Sequence, residues 1–345
     1  MSSISLPPDH RGQGARFIDA TFRTKALPPP ATTTFADQTT IITGSNTGLG
    51  LRCAEIMLDL HLTHLIMAVR SIAKGEKAAA ALRKAHPDAK IEVWELDMLS
   101  YDSVRRFAQR CESLPRLDIA LLNAGYWEMD SWKIEPTTGH ETTMQVNYLS
   151  TALLAFLLLP VLKRSSQAGR PGRLSIVSSG LSLASQFTNR DAVPLIPSFD
   201  QLGPFSVMAG SERYSTTKTM ECMFVWKLSQ LVNADEVIVN AVDPGFTKGT
   251  ALHRDARGVV IKGLSAIANT FFARSPTQGA WCYVDGIAVK GKDSHGSFVM
   301  NWQISCFHSM MYTPEGKQTT ERLWEETLED LDFAGVRSIA NSLRS

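Results

Sequence analysis

"TGSNTGLG", residues 43–50, joins the apolar run Ile41-Ile42 to "LRCAEIMLDL", whose apolar spacing predicts a helix. Three glycines in eight residues at a strand-to-helix join admit two readings. One is a tight turn and nothing more. The other is a loop that lets a phosphate reach the backbone, because glycine tolerates positive φ and the helix start offers free N–H groups with a positive dipole end. The spacing is G-x-x-x-G-x-G, not G-x-G-x-x-G, so the loop alone leaves both readings open.

The flanking chain supplies context. From Thr39 onward, short β-branched runs alternate with helical stretches. "TTIITG", "HLIMAVR", "KIEVWEL", "LDIALLN", "RLSIVSS", "EVIVNAV" and "GSFVM" read as strands, and a long helix is expected over roughly residues 141–164. That alternation predicts an α/β fold: a parallel sheet of about seven strands with helices on both faces. Residues 37–345 read as one domain. Residues 1–36, with "LPPPATTT", read as an extended arm leading into it.

Composition excludes several classes. A net charge of +1 over 345 residues gives no basic field for nucleic acid. The five cysteines are scattered, with no CxxC, which argues for reduced thiols in the cytosol and against a disulfide framework or a zinc site. The histidines lack ligand spacing such as HExxH, so no metal is expected. No cationic stretch followed by an apolar run opens the chain, so no signal peptide is read. "ALLAFLLLPVL", residues 152–162, is short for a bilayer and is interrupted by Pro160, so no transmembrane segment is expected. A cytoplasmic location follows, with peripheral membrane association left open. Core burial and packing on a second subunit, in a homodimer or tetramer, explain that apolar helix equally well.

In parallel α/β sheets ligands bind beyond the carboxyl ends of the strands, so the residues there carry the information. After the first strand stand Gly44, Ser45, Asn46, Gly48, Leu49 and Gly50. After the second stand Arg70 and Lys74, where an acid would suit the ribose hydroxyls of NAD and an arginine suits a 2′-phosphate. Asp97-Met98 follow the third, and Asn123-Ala124-Gly125 the fourth. Ser178-Ser179-Gly180 follow the fifth, and Pro244, Gly245 and Thr247 the sixth. Tyr214 and Lys218 in "YSTTK" form an i,i+4 pair on one helix face. A lysine so placed lowers a phenol's pKa from about 10, giving a general acid/base beside a carbonyl.

Taken in order, "TGSNTGLG", "LDM", "NAG", Asn147 in "VNYLS", "IVSSG", "YSTTK" and "DPGFTKGT" resemble the short-chain dehydrogenase/reductase family over roughly residues 37–300. The layout is similar to the retinol-dehydrogenase-like branch, and "SNTGLG", "AVRSIAKGE" and "ERLWEETLEDL" to filamentous fungal members of secondary-metabolite pathways. The resemblance implies a Rossmann-like, doubly wound sheet that binds NADP(H). It implies Tyr214 as proton donor, Lys218 as its tuning partner and ribose ligand, and Ser179 as the group that orients the carbonyl. Asn147 would hold a water linking Lys218 to solvent. Asp97 and Met98 would meet adenine, Asn123 the adenosine-side ribose or nearby backbone, and Thr247 the carboxamide or phosphates. The implied reaction is NADP(H)-dependent reduction of a ketone or aldehyde on a bulky apolar polyketide, terpenoid or alkaloid. Alcohol oxidation, a non-redox cyclase or isomerase, and a regulatory scaffold remain as alternatives.

Two departures stand out. The stretch 180–213 is far longer than in many members, and its Pro- and aliphatic-rich sequence suggests a lid or wall, with a structural flap as the other reading. The segment after Thr247, through "ARSPTQGAWCYVDGIAV", is expected to complete the pocket.

Overall fold

The computed structural model describes residues 1–248 and 273–343. Seven parallel strands form its centre: β1 (Thr39–Thr43), β2 (His64–Val69), β3 (Lys90–Glu95), β4 (Ile119–Leu122), β5 (Gly172–Val177), β6 (Val237–Val242) and β7 (Ser297–Met300). An eighth, β8 (Gln303–Ser305), pairs antiparallel with β7. Sheet order is β3-β2-β1-β4-β5-β6-β7-β8. The chain winds outward from β1 to β3, then crosses back to β4 beside β1. That reversal opens a crevice at the carboxyl ends. The seven strands read from sequence are all present. β8 escaped that reading because three residues show no periodicity and its turn, Asn301-Trp302 with φ of 54° and 58°, lacks the usual glycine.

Every residue of β1, β4 and β6 is buried, as expected when both faces are covered. Alternation along the strands splits the core in two. Ile41 and Ile66 point to one face, with Phe107 of α3 (Tyr101–Glu112), Leu153 of α4 (Ser150–Ser165) and Phe224 of α5 (Val207–Ser229). Ile42, Leu65 and Met67 point to the other, with Met57 of α1 (Gly48–Asp59), Leu82 of α2 (Ile72–Ala85) and Tyr283 of α6 (Pro276–Val284). Two further helices, α7 (Pro314–Asp330) and α8 (Val336–Leu343), close the first layer with Trp324 and Ala340.

A π turn, Gln145–Leu149, leads into α4. The whole helical run Thr142–Ser165 is long and apolar enough to cross a membrane, yet 89% of its most apolar window is buried within the chain. All five cysteines are free and buried.

The arm is not extended throughout, as its proline content suggested. Its middle forms the helix Gln13–Ile18 and a π turn, Asp19–Arg23, closed by an Arg23–Asp19 ion pair of 2.9 Å. Both ends are fixed. Fully buried Ser3 exchanges hydrogen bonds with β7: its N–H donates to Ser297 Oγ at 3.1 Å, and Phe298 N–H donates to Ser3 Oγ at 2.8 Å. Phe35 is buried, and its N–H donates to Leu60 O at 2.8 Å.

Most of the stretch 180–213 is a packed flap. Phe187, Leu195, Ile196 and Phe199 enter the first core layer, and Glu326 of α7 accepts from Leu195 N–H and Ile196 N–H at 2.8 and 2.7 Å. Of that stretch, Gly180, Leu181 and Leu183 reach the crevice.

Candidate active site

One cleft of about 1560 Å³ runs along the carboxyl ends of the strands. Its first wall is the glycine loop. Gly44 and Gly48 have φ of 65° and 61°, and Gly44 N–H donates to Ala68 O. Thr47 starts α1 without a side-chain cap, and Gly48 and Leu49 of the uncapped first turn line the cleft. Gly50 and Ser45 do not line the cleft. Ser45 is buried, with its hydroxyl donating to Ile42 O. A Cβ on Gly50 would stand 2.6 Å from Asn123 Nδ2 and 2.9 Å from Gly44 O. The loop is therefore pressed onto the end of β4.

That contact is held by Thr43. Its carbonyl accepts from Asn123 Nδ2, and its Oγ1 accepts from Ala124 N–H, both at 2.8 Å. Tyr283 of α6 completes the clamp, with its hydroxyl donating to Asn123 Oδ1 at 3.0 Å. Asn123 thus spends its amide on the loop and lines the cleft with Ala124 and Gly125.

Arg70 and Lys74 project from the end of β2 and the start of α2 into the same cleft, both exposed. The Arg70 side chain forms no hydrogen bond or ion pair with any described residue, nor does the Lys74 ammonium. Asp97 and Met98 line the neighbouring wall, where Asp97 Oδ1 accepts from Leu99 N–H at 3.1 Å.

At the other end lie Ser179, Tyr214 and Lys218. The two serines divide their work. Ser178 is buried, and its hydroxyl donates to Lys218 O at 3.0 Å. Ser179 faces the cleft and accepts from Leu181 N–H. Lys218 is 3% exposed, and its ammonium donates to Val177 O at 2.9 Å and to Glu221 Oε1 at 2.6 Å. The ring of Trp127 stacks on Tyr214, with centroids 4.6 Å apart and an interplanar angle of 10°.

The expected lowering of the phenol pKa by Lys218 does not emerge. Burial pushes Tyr214 up, the Glu221 carboxylate and Asp243 add to this, and the Ser179 hydroxyl pulls it back in part. Lys218 spends its charge on Glu221, so the cleft holds Tyr214 as a neutral phenol. Asn147 does not line the cleft. Its Oδ1 accepts from Tyr126 N–H at 2.7 Å, and its Nδ2 donates to Tyr126 O and Thr217 Oγ1. Both amide hydrogens are used, so the side chain sets the loop that carries Trp127.

Pro244, Gly245 and Thr247 follow β6 along the wall, and Thr247 is tied to Arg274 by a parallel bridge. Residues 249–272 of the expected pocket segment lie outside the described residues, while Ala273, Arg274, Gln278 and Tyr283 line the cleft. Arg274 donates to Pro244 O at 3.2 Å and to Ala20 O of the arm at 3.3 Å. Arg16 donates to Leu183 O at 3.0 Å, and Phe17 meets Phe246 edge-on at 6.0 Å. The arm, rather than the flap, roofs the cleft. Sequence reasoning missed Trp127 and Glu221, and it placed Arg274 and Tyr283 only within the segment expected to complete the pocket. Of the two missed, only Glu221 had a legible signal, its i+3 spacing from Lys218.

Residues 38–189 match the family described as short chain dehydrogenase. The chain is 49% identical to the short chain dehydrogenase/reductase mfmJ of Annulohypoxylon moriforme, over 95% of this chain and 94% of that protein. It is 44% identical to the short chain dehydrogenase virL of Hypocrea virens, over 93% of each. The fold is also that of Pseudomonas aeruginosa RhlG in its NADP active-site complex (TM-score 0.58, 21% identity, 77% of this chain and 95% of that one). L-sorbose reductase from Gluconobacter frateurii, solved with NADPH and L-sorbose, gives a TM-score of 0.57 at 20% identity, with the same coverage. The protein belongs to the short-chain dehydrogenase/reductase family and is an oxidoreductase of that type.

Proposed function

We propose that the protein is an NADP(H)-dependent reductase of a ketone or aldehyde on a bulky apolar metabolite. The observation that carries this reading is the shared cleft: Ser179, Tyr214 and Lys218 at one end, and the unengaged cations Arg70 and Lys74 at the other. Between them the glycine loop offers uncapped helix N–H groups, as a pyrophosphate requires. Gly44, Asn46, Gly48 and Leu49 would hold the pyrophosphate, Arg70 and Lys74 the 2′-phosphate, and Asp97 and Met98 the adenine. Asn123, with Ala124 and Gly125, would meet the adenosine side, Lys218 the nicotinamide ribose, and Pro244, Gly245 and Thr247 the carboxamide. The dinucleotide supplies the hydride chemistry when bound.

The chain's own residues handle the oxygen. Ser179 donates a hydrogen bond to the substrate carbonyl and orients it. Tyr214, a neutral phenol, gives up its proton to that oxygen as negative charge develops there. Trp127, Leu181, Leu183, Phe246 and arm residues Phe17 and Phe22 wall the cleft with apolar surface. A polyketide, terpenoid or alkaloid carbonyl from a fungal pathway fits such walls, in line with the fungal sources of the relatives. The free thiols suit a cytosolic enzyme.

The test is substrate-dependent loss of NADPH absorbance across a panel of bulky ketones and aldehydes, with Tyr214→Phe alongside. A loss of about 10²–10⁴-fold in kcat is expected in the variant. Wild-type turnover by Tyr214→Phe would refute the assignment.

A further inference from the structure

Lys218 has a task in the proposed reaction, while its nearest charged neighbour, Glu221, has none. Glu221 stands one turn along α5, 2% exposed, with Oε1 2.6 Å from Lys218 Nζ. Its Oε2 is buried and accepts no hydrogen bond of ordinary geometry from the described residues, although the Ser178 hydroxyl stands close enough to favour its charged form. Such an isolated buried pair is a poor device for stability alone, because apolar residues of similar volume usually serve as well or better. The groups around it are few. Among the described residues, Cys222 of α5 and Ser178 at the end of β5 face the pair, while Ser179, Asp243 at the end of β6 with Arg274 beside it, and Tyr283 of α6 face Tyr214. The other acid, Asp243, is engaged by Gly180 N–H at 3.0 Å. Of these two acids, Glu221 is the one that touches the Lys218 ammonium.

The charge arithmetic then decides direction. A lone ammonium beneath Tyr214 would stabilise the phenolate and make the site a base. Burial pushes the Glu221 carboxyl up to about 7 although Lys218 pulls it back; above that pH the ammonium and carboxylate together present little net charge, so burial dominates and the phenol keeps its proton. Of the three Lys218 N–H donors, two are spent on Val177 O and Glu221, which leaves one for the cleft.

We propose that Glu221 is a positioning residue that anchors Lys218 and offsets its charge, holding Tyr214 as a proton donor and so setting the pH limits between which the enzyme reduces and oxidises its substrate. This rests on Tyr214 being the proton donor, and the test separates the two. The pH profiles of kcat/KM are measured for NADPH-dependent carbonyl reduction and for the reverse alcohol oxidation, in wild type, Glu221→Gln and Glu221→Asp, with Tyr214→Phe as control. Reduction needs the phenol and oxidation the phenolate. Removing the carboxylate lowers the Tyr214 pKa, so in Glu221→Gln the alkaline limb of reduction and the acid limb of oxidation both move down, by on the order of one pH unit. Glu221→Asp keeps the charge and keeps both limbs near their wild-type positions. A purely structural Glu221 would reduce amplitude and thermal stability without moving either limb, and that result overturns the proposal. Should Glu221→Gln not fold, a full-unit displacement of the limbs in Glu221→Asp overturns it equally. If Tyr214→Phe turns over as wild type, the donor assignment falls first. If Tyr214→Phe is dead and the limbs of Glu221→Gln stand still, only the role of Glu221 falls.

Discussion

Replacing Gly50 with alanine tests the clamp between the glycine loop and β4. In an unconstrained helix the change is favourable by about 1 kcal/mol, since alanine is the better helix former. Here the new methyl would stand 2.6 Å from Asn123 Nδ2, 2.9 Å from Gly44 O and 3.1 Å from Ser45 Cα. Two of those three are backbone atoms, and the amide cannot retreat without giving up its bonds to Thr43 O and Tyr283. Overpacking costs about 1–3 kcal/mol. Each of the two hydrogen bonds, if lost, costs about 1 kcal/mol more. With both bonds lost and the helix gain subtracted, the net is about 3 kcal/mol of destabilisation, which lowers Tm by about 4 °C. Loop displacement should also weaken NADPH binding about tenfold or more. Thermal unfolding with and without NADPH reads both effects. Adding Asn123→Ser to Gly50→Ala should restore at least about 1 kcal/mol by removing the clash partner, a coupling that distant sites do not show. An alanine at position 50 that raises Tm and leaves NADPH affinity intact would refute the close-contact argument.

Arg70→Asp should weaken NADPH binding by about 10–100-fold, the worth of a charge-assisted contact to phosphate, and leave NADH binding far less affected; equal losses in titrations of the two dinucleotides would exclude a 2′-phosphate site. His140 supplies a pH test of stability. Burial works against its charged form, but Asp200 at 3.0 Å and Asp330 at 3.3 Å outweigh that and raise its pKa to about 9. A raised histidine pKa stabilises the fold fully below its unfolded value of about 6.5, and the gain is lost as pH rises through about 9. The contribution is up to about 3 kcal/mol. Urea unfolding should therefore show stability falling between these pH values in wild type, with the slope reduced in His140→Gln; parallel slopes would show that the two carboxylates do not hold the charged ring.

Much of this site could be read from sequence because topology does the assembling. A residue that follows a parallel strand arrives at the crevice whatever its side chain, which is why Gly44, Arg70, Asp97, Asn123 and Ser179 could be placed. Local spacing also gave the Tyr214–Lys218 face. It did not give the direction of the phenol's pKa, because that depends on Glu221 and on burial from the other elements. Contacts between distant segments left no local trace. The Trp127 ring over Tyr214 and the Tyr283–Asn123 bond, 160 residues apart in sequence, arise only when separate loops meet. Composition could not tell lid from flap in 180–213, since proline and aliphatics suit both; the Glu326 carboxylate beneath Leu195 and Ile196 settles it. The arm was misread because its helix is short and its prolines lie outside it.

That arm has a mechanical consequence. A ribbon pinned at Ser3 and again at Phe35 cannot swing open like a hinged door; it can only bow outward between its two pins. The gap available to a large molecule is then set by the slack between the pins and by the Arg16, Phe17 and Arg274 contacts that draw the ribbon down. A purification handle fused ahead of Met1 would pull on the first pin.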